Sequence, residues 1–341
     1  MQSSQLGIGI VGTGMIAGPI ADAIAKSKKA TLTAVSSRRI ENARKFLAER
    51  PGPAAVEGID ALLSRADVDA IYVATPTAAK EAIALAAIGA GKHVLVDKPF
   101  ADRASVLRMT EAAAARNVAY MDATHFVHHP RTAAIRAASG EKIGLPRSLH
   151  TALYVSISDS SNIRFNPREE PMTALGDLAW YSMRAVVEYL RPAGKIAKVA
   201  TVPERDANTG AILRAAGLIA FESGEVSTFD IGHTAGTVIM ELQLLGSRGY
   251  IRMDDFVLDW NNSFAFKYPE VPAGYYHRTG EMAPNQETFI QTPATNAQEV
   301  EMIDTFSELA TTGDAARMAS YAAASLQTME YLDAVWAAAG A

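Results

Sequence analysis

Leu6-Gly7-Ile8-Gly9-Ile10-Val11-Gly12-Thr13-Gly14-Met15-Ile16-Ala17 stands near the start of the chain and decides how its first third folds. Leu6 to Val11 reads as a buried strand, and Gly12-x-Gly14-x-x-Ala17 follows at once and opens a helix predicted over Ile16 to Lys26. The first glycine permits a tight turn, the second lets backbone approach a pyrophosphate, and the alanine lets the helix pack closely on the strand. A helix N-terminus placed there adds free amides and partial positive charge. The pattern predicts a dinucleotide site in which Gly12, Thr13, Gly14, Met15 and Ile16 cradle the phosphates.

Outward from this loop, short β-branched runs alternate with alanine-rich segments of helical spacing. Strands are predicted over Thr31 to Ser36, Val68 to Ala74, His93 to Asp97 and Val118 to Met121, with helices over Ile40 to Glu49, Ala78 to Ala90 and Asp102 to Ala115. Such alternation buries a parallel sheet between two helix layers, the doubly wound α/β pattern of a Rossmann domain. After His129-Pro130 the rhythm changes. A strand over Ser148 to Ile157 and a helix over Ala174 to Leu190 precede four strands in succession, Ala216 to Glu222, Val226 to Gly232, Val238 to Leu245 and Tyr250 to Met253. The expected architecture is therefore a dinucleotide-binding domain, residues 1–124, followed by an α+β domain, 125–341, with a large, mostly antiparallel open sheet. Helices over Ala297 to Thr311 and Ala315 to Ala338 close it, and Asn261 to Thr295 reads as a long loop.

Composition narrows the functions open to such a chain. Its 341 residues are 49% apolar and 20% charged, which suits a soluble globular protein of two domains. With 32 basic against 37 acidic residues, the net charge of -5 has the wrong sign for nucleic acid or anionic lipid. Zero cysteines exclude disulfides, thiolate metal sites and a cysteine nucleophile. No apolar run reaches the ~20 residues that span a bilayer, and Met1 to Gln5 carry no secretory signal, so a cytoplasmic protein is expected. His125, His128 and His129 form a cluster without an accompanying carboxylate motif, and no metal is expected there.

The end of the second strand selects the dinucleotide. An acid there would hold the ribose hydroxyls of NAD, but the chain reads Ser36-Ser37-Arg38-Arg39, with Glu41 already inside the next helix. Ser37 and Arg38 are expected to clamp a 2'-phosphate, favouring NADP (NADPH) over NAD, unless the arginines merely decorate a solvated helix start. Thr75-Pro76 and Asp97-Lys98-Pro99 end two further strands, where ligands of open α/β sheets bind. The following proline restricts Lys98 to extended geometry. In the second half, Gly176-Asp177-Leu178-Ala179-Trp180-Tyr181 places Asp177 and Tyr181 four apart, on one face of a helix. A tyrosine hydroxyl, with its ordinary pKa near 10, exchanges protons more readily beside an ammonium such as Lys98. The alternative is that Tyr181 is a core aromatic and Asp177 a helix cap.

On these residues the chain resembles the Gfo/Idh/MocA oxidoreductases, the family of glucose-fructose oxidoreductase and inositol 2-dehydrogenase. The resemblance spans essentially the whole chain: GIVGTGMIA from Gly9, VATPT from Val73, GKHVLVDKPFA from Gly91, MDATHFVHHPR from Met121, GDLAWYSMR from Gly176 and LLGSRGYIRMDD from Leu244. It implies a Rossmann domain joined to an open-sheet domain through which many members associate, here as a homodimer or dimer of dimers built on an uncovered apolar sheet face. It assigns the catalytic lysine to Lys98 and a further catalytic pair to Asp177 and Tyr181, with tyrosine where many members carry histidine, as in the branch containing dimeric dihydrodiol dehydrogenase. Asp97 and Lys98 also fall in the cofactor site. Four departures stand out: Asp97 for a frequent glutamate, Lys80 for a frequent histidine, Ala179 for the usual glycine, and Val127 where sugar-active relatives commonly have arginine. His125 and His129 are expected against substrate, joined by Arg164 from a polar loop, while Trp180 lines that pocket or fills the core. Together these imply an NADP(H)-dependent oxidoreductase interconverting a secondary alcohol and a carbonyl on a sugar or other polyhydroxylated small molecule. The alternatives are a dihydrodiol dehydrogenase, favoured by an apolar pocket around His125, Phe126 and Trp180, and a non-catalytic nucleotide-binding regulator.

Overall fold

The computed structural model describes residues 5–340, which form two compact units. The first runs to His125 and also takes Glu299–Leu326. Its elements in chain order are β1 (Leu6–Val11), α1 (Ala17–Lys26), β2 (Ala30–Ser37), α2 (Ile40–Leu47), β3 (Ala54–Glu57), α3 (Ile59–Leu63), β4 (Ala70–Val73), α4 (Thr77–Gly89), β5 (His93–Val96), α5 (Arg103–Arg116) and β6 (Tyr120–Asp122). The six strands are parallel in the order β3-β2-β1-β4-β5-β6. All residues of β1 and β4 are buried, as central parallel strands covered on both faces must be. Strand order reverses between β1 and β4, and the carboxyl ends of those two strands carry Gly12 and Thr75.

β3 and α3 were not expected from the sequence. β3 is only four residues long, between Gly52-Pro53 and Gly58, too short to display a period. The return of Glu299–Leu326 also lies outside a division into two consecutive segments at 124/125. It rests on long-range side-chain bonds: Ser27 to Asp304, Lys29 to Glu308 and Ser325 to Asp122.

The second unit comprises Phe126–Gln298 and the chain from Gln327 onward. α6 (Pro130–Ala138) and β7 (Pro146–Tyr154) lead to a helical segment whose middle is α7 (Trp180–Ala185). Then follow β8 (Ile196–Arg205), β9 (Ile212–Phe221), β10 (Val226–Gly232), β11 (Ile239–Gly246), β12 (Gly249–Met253), β13 (Gly274–Thr279) and β14 (Thr288–Gln291); of the last two helices, α8 (Gln298–Thr312) from Glu299 on and α9 (Ala315–Ala338) as far as Leu326 belong to the first unit. The eight-stranded sheet has the order β14-β13-β12-β11-β7-β10-β9-β8, antiparallel except for the central β7/β10 pair. The stretch 261–295, expected to be a loop, thus contributes two strands, held by backbone pairing that no side-chain period announces. One sheet face buries Leu149, Thr151 and Leu153, with Thr151 Oγ1 donating to Ser182 Oγ of α7 at 2.9 Å.

The other face is not the apolar surface that the sequence suggests. His150 Nδ1 and Thr228 Oγ1 are bonded at 2.9 Å, Tyr154 donates to Asp230, and Arg214 Nη2 donates to Tyr154 Oη at 3.3 Å, with small residues such as Ala152 and Ala216 between them. Among the described residues no helix is long and apolar enough to cross a membrane.

Candidate active site

In the first unit the phosphate loop follows from backbone geometry. Gly12 has φ +106, and a Cβ there would stand 2.5 Å from the Ala74 carbonyl oxygen, so any side chain would collide with the backbone after β4. At Gly14 the nearest atom to such a Cβ is that same oxygen at 4.0 Å, leaving open room beside the backbone. The N-terminus of α1 has no side-chain cap and no acid in its first turn, so its amides are directed outward. Met15 is 73% exposed, an apolar side chain that a bound ligand would cover. Thr75 Oγ1 is buried without a protein hydrogen-bond partner, one more donor awaiting an acceptor. These features fit a dinucleotide: Gly12 to Ile16 would hold its phosphates, and Thr75 and Pro76 lie at the neighbouring strand end.

β2 ends at Ser37, half-buried, and Arg38 and Arg39 are exposed immediately beyond it; Glu41 lies exposed in α2. Ser36 donates to the Gly58 carbonyl at 2.6 Å, so the strand end is tied to the next crossover while Ser37 and Arg38 remain at its rim. Asp97 and Lys98, both half-buried, follow β5. The Asp97 amide donates to Val73 O at 3.1 Å and Tyr72 Oη donates to Asp97 Oδ1 at 3.3 Å, and the Lys98-Pro99 peptide is cis. His125, buried, closes this unit.

In the second unit the expected uniform helix over 174–190 is three pieces: a π-helical turn Leu175–Ala179, α7, and a second π-helical turn Val186–Leu190. Asp177 lies in the first π turn and Tyr181 in α7, so the simple four-residue α spacing between them does not hold; π turns widen the helix and occur often at functional sites. Tyr181 is buried at 7% exposure with its ring 6.3 Å from that of Phe126. Trp180 is fully buried and fills the core, one of the two roles open to it.

Asp177 is bonded by one residue and faced by a second. Arg164 Nε donates to its Oδ2 at 2.5 Å from a 3-10 turn, Ile163–Phe165, whose start Asn162 caps by accepting the Arg164 amide at 3.1 Å. His233, just past β10, places Nε2 3.5 Å from the same oxygen. The His233 ring is buried, its Nδ1 bonded to Val155 O at 3.0 Å, and Phe165 meets it edge-on at 6.0 Å. A carbonyl oxygen only accepts, so Nδ1 carries a proton and Nε2 is the nitrogen that faces the carboxylate. The sequence points to Arg164 and Asp177 separately and misses His233, whose only local signal is its place directly after the apolar strand ending at Gly232.

His129, expected against substrate, is instead the N-cap of α6, its Nδ1 accepting the Arg131 amide at 3.0 Å. It is 2% exposed, and burial, helped by the Arg131 charge, pushes its pKa down to about 3, so near neutrality it is uncharged beside Asp259 at 4.0 Å. Arg131 itself is buried and paired with Asp255. Among the described residues no group of three or more histidines, aspartates and glutamates is placed to hold a metal ion. An open groove of about 510 Å³ at the β11–β12 turn, lined by Arg248, Tyr250, Arg278 and Glu281, contains none of the candidate site residues.

Comparison with known proteins gives the family and the fold. Residues 6–124 match the model of an oxidoreductase family with an NAD-binding Rossmann fold. A dTDP-3,4-didehydro-2,6-dideoxy-alpha-D-glucose 3-reductase of Streptomyces violaceoruber is 34% identical over 73% of this chain and 72% of its own length. An NADP(+)-dependent scyllo-inositol 2-dehydrogenase of Bacillus subtilis is 32% identical over 44% of this chain and 45% of its own. In fold, the chain is similar to KijD10, a 3-ketoreductase from Actinomadura kijaniata solved with NADP and TDP-benzene, with a TM-score of 0.85 at 24% identity over 97% of each chain.

Proposed function

Because the chain belongs to the Gfo/Idh/MocA oxidoreductase family, we propose that it is an NADP(H)-dependent enzyme that interconverts a carbonyl and a secondary alcohol on a sugar, free or carried by a nucleotide. Bound nicotinamide supplies or accepts the hydride. The protein supplies position and one proton. In reduction, Tyr181 donates its hydroxyl proton to the substrate oxygen, and Lys98, the other residue to which the family resemblance gives a catalytic role, supplies positive charge to the reaction. Asp177, with Arg164, orients substrate hydroxyls. His125 and His129 are kept as candidate substrate contacts, His129 giving one ring nitrogen to the α6 cap while its Nε2 stands buried without a hydrogen-bond partner.

The observation that carries the sugar reading is Asp177, a part-buried carboxylate bonded by Arg164 and faced by His233 on the segment that bears Tyr181. A charged acceptor is suited to any hydroxyl-bearing substrate, a sugar or a dihydrodiol alike, so turnover of the two classes is what separates them. Retention of both Lys98 and Tyr181 weighs against a non-catalytic regulator. The preference for NADP rests on Ser37 and Arg38 at the end of β2. For assembly we infer a homodimer or dimer of dimers through the second sheet, its mixed face giving a polar and small-residue interface; light scattering reporting a monomer at micromolar concentration would remove this part. We place the enzyme in the cytoplasm. The deciding experiment is a panel of free sugars, inositols, dihydrodiols and dTDP-linked keto sugars, assayed by absorbance at the reduced nicotinamide band with NADP and NAD in parallel. Turnover of a sugar or inositol faster with NADP supports the reading; turnover confined to dihydrodiols overturns it.

A further inference from the structure

Lys80 is a buried charge in an alanine-rich helix. It is 2% exposed on α4, where a lysine is costly unless its protons are matched by acceptors. Three acceptors meet it: the Lys98 carbonyl at 2.8 Å, the Pro99 carbonyl at 2.8 Å and Thr77 Oγ1 at 3.3 Å. Thr77, itself buried, donates to Pro99 O at 3.5 Å. Both carbonyls belong to the turn that presents Lys98. Two successive carbonyls aimed into one buried spot repel each other, and an ammonium between them turns that repulsion into attraction. Holding the carbonyls of residues 98 and 99 sets ψ at both positions, the proline ring sets φ at residue 99, and the Asp97 amide is tied to Val73. Almost no backbone freedom is left to swing Lys98.

We propose that Lys80 is a positioning residue for Lys98: it aims the Lys98 side chain by gripping the backbone on which it stands, and it does so from the helix that follows the Thr75-Pro76 strand end, coupling the two loops. The proposal rests on the catalytic role given to Lys98 above. Thr77 completes the grip.

The test is a double-mutant cycle on the full chain with Lys80→Met, Lys98→Met and the pair. Turnover is read on whichever panel member is fastest, NADPH affinity by fluorescence titration, and hydrogen exchange at residues 98–101 by mass spectrometry. In Lys80→Met, exchange at 98–101 should accelerate at least tenfold and kcat should fall ten- to a hundredfold with KM and NADPH affinity within threefold. In the Lys98→Met background the same change should cost less than threefold, because it acts through a side chain already gone. Lys80→Arg, which keeps a cation and several donors, should recover most of kcat, and it carries the test if Lys80→Met does not fold: an arginine variant that keeps wild-type kcat with unprotected exchange, or loses kcat with exchange still protected, counts against the grip. Unchanged exchange at 98–101, or equal losses in both backgrounds, overturns the proposal. If instead Lys98→Met keeps wild-type turnover, the catalytic reading of Lys98 fails first, and the two failures are told apart.

Discussion

The two units build their sites from different materials. In the first, the binding surface is mostly backbone: the turn at Gly12, the open space beside Gly14 and the uncapped amides of α1. In the second, it is side chains from three distant places, Arg164 in a loop, Asp177 in a π turn and His233 after β10, meeting on one carboxylate oxygen. A backbone site is encoded by a few adjacent residues. A side-chain site exists only once the sheet has brought its members together.

The largest effect that could break this contrast is catalytic. Tyr181→Phe removes a proton donor while keeping ring packing, and turnover should fall about 100-fold or more, the range for losing a general acid, with NADPH affinity intact. Lys98→Met should cost at least as much. Near wild-type kcat in Tyr181→Phe, measured by steady-state kinetics on the substrate found in the panel, would move the acid assignment to Lys98 or His129.

Next is the backbone site. Gly12→Ala puts a Cβ 2.5 Å from the Ala74 carbonyl at a φ of +106, so β1 and β4 must shift apart at the point where the phosphates would lie. We expect at least tenfold weaker NADPH binding and a lower melting temperature. Gly14→Ala, with 4.0 Å of clearance, should fold normally and lose only the cofactor. Equal melting losses in both variants would show that the loop serves the fold and not a ligand.

Arg38→Ala then separates charge from backbone. It should weaken NADPH by about 1.5 to 3 kcal/mol, the range for charge-assisted hydrogen bonds, and leave NADH almost unchanged. Calorimetric titration giving equal affinities for both cofactors in the parent protein would remove the basis for an NADP preference.

The same contrast explains what was legible beforehand. β1, β10 and α9 stand within a residue of where the sequence places them: β1 is a short apolar run ended by Gly12, β10 alternates buried and half-buried residues, and α9 is a long alanine-rich run between Gly313 and Gly340. β8 was invisible: as an edge strand it leaves Lys198 and Val202 exposed and carries Pro203, so it shows neither a clean alternation nor a proline-free run. β13 and β14 depend on cross-strand partners such as Tyr276 and Phe289, rings 5.1 Å apart. The tight turn after β1 was readable down to the glycine that its backbone requires at position 12. Asp177 and Arg164 were readable as types but not as a pair, and His233 gains its meaning only from contact with a residue 56 positions earlier in the chain. His129 shows the converse: the sequence offers a histidine next to others, and only the structure shows its ring spent on a helix cap.

His129 also supplies the smallest and most local test. Its pKa in the folded protein is about 3, against an ordinary value of 6.5 in the unfolded chain, because burial and then the Arg131 charge oppose protonation. The unfolded state therefore takes up a proton that the folded state refuses. The stabilising contribution is fully present above pH 6.5 and is lost progressively as pH falls toward 3, with a slope approaching about 1.4 kcal/mol per pH unit. Between pH 6 and pH 5 this single group should cost about 1 kcal/mol of stability in urea unfolding. His129→Asn keeps an acceptor suited to the α6 N-cap but has nothing to titrate, so the variant should fold and show a flatter stability profile over that interval. If both proteins lose stability equally between pH 6 and pH 5, His129 is not the group that responds, and the buried cap has found a way to accommodate its proton.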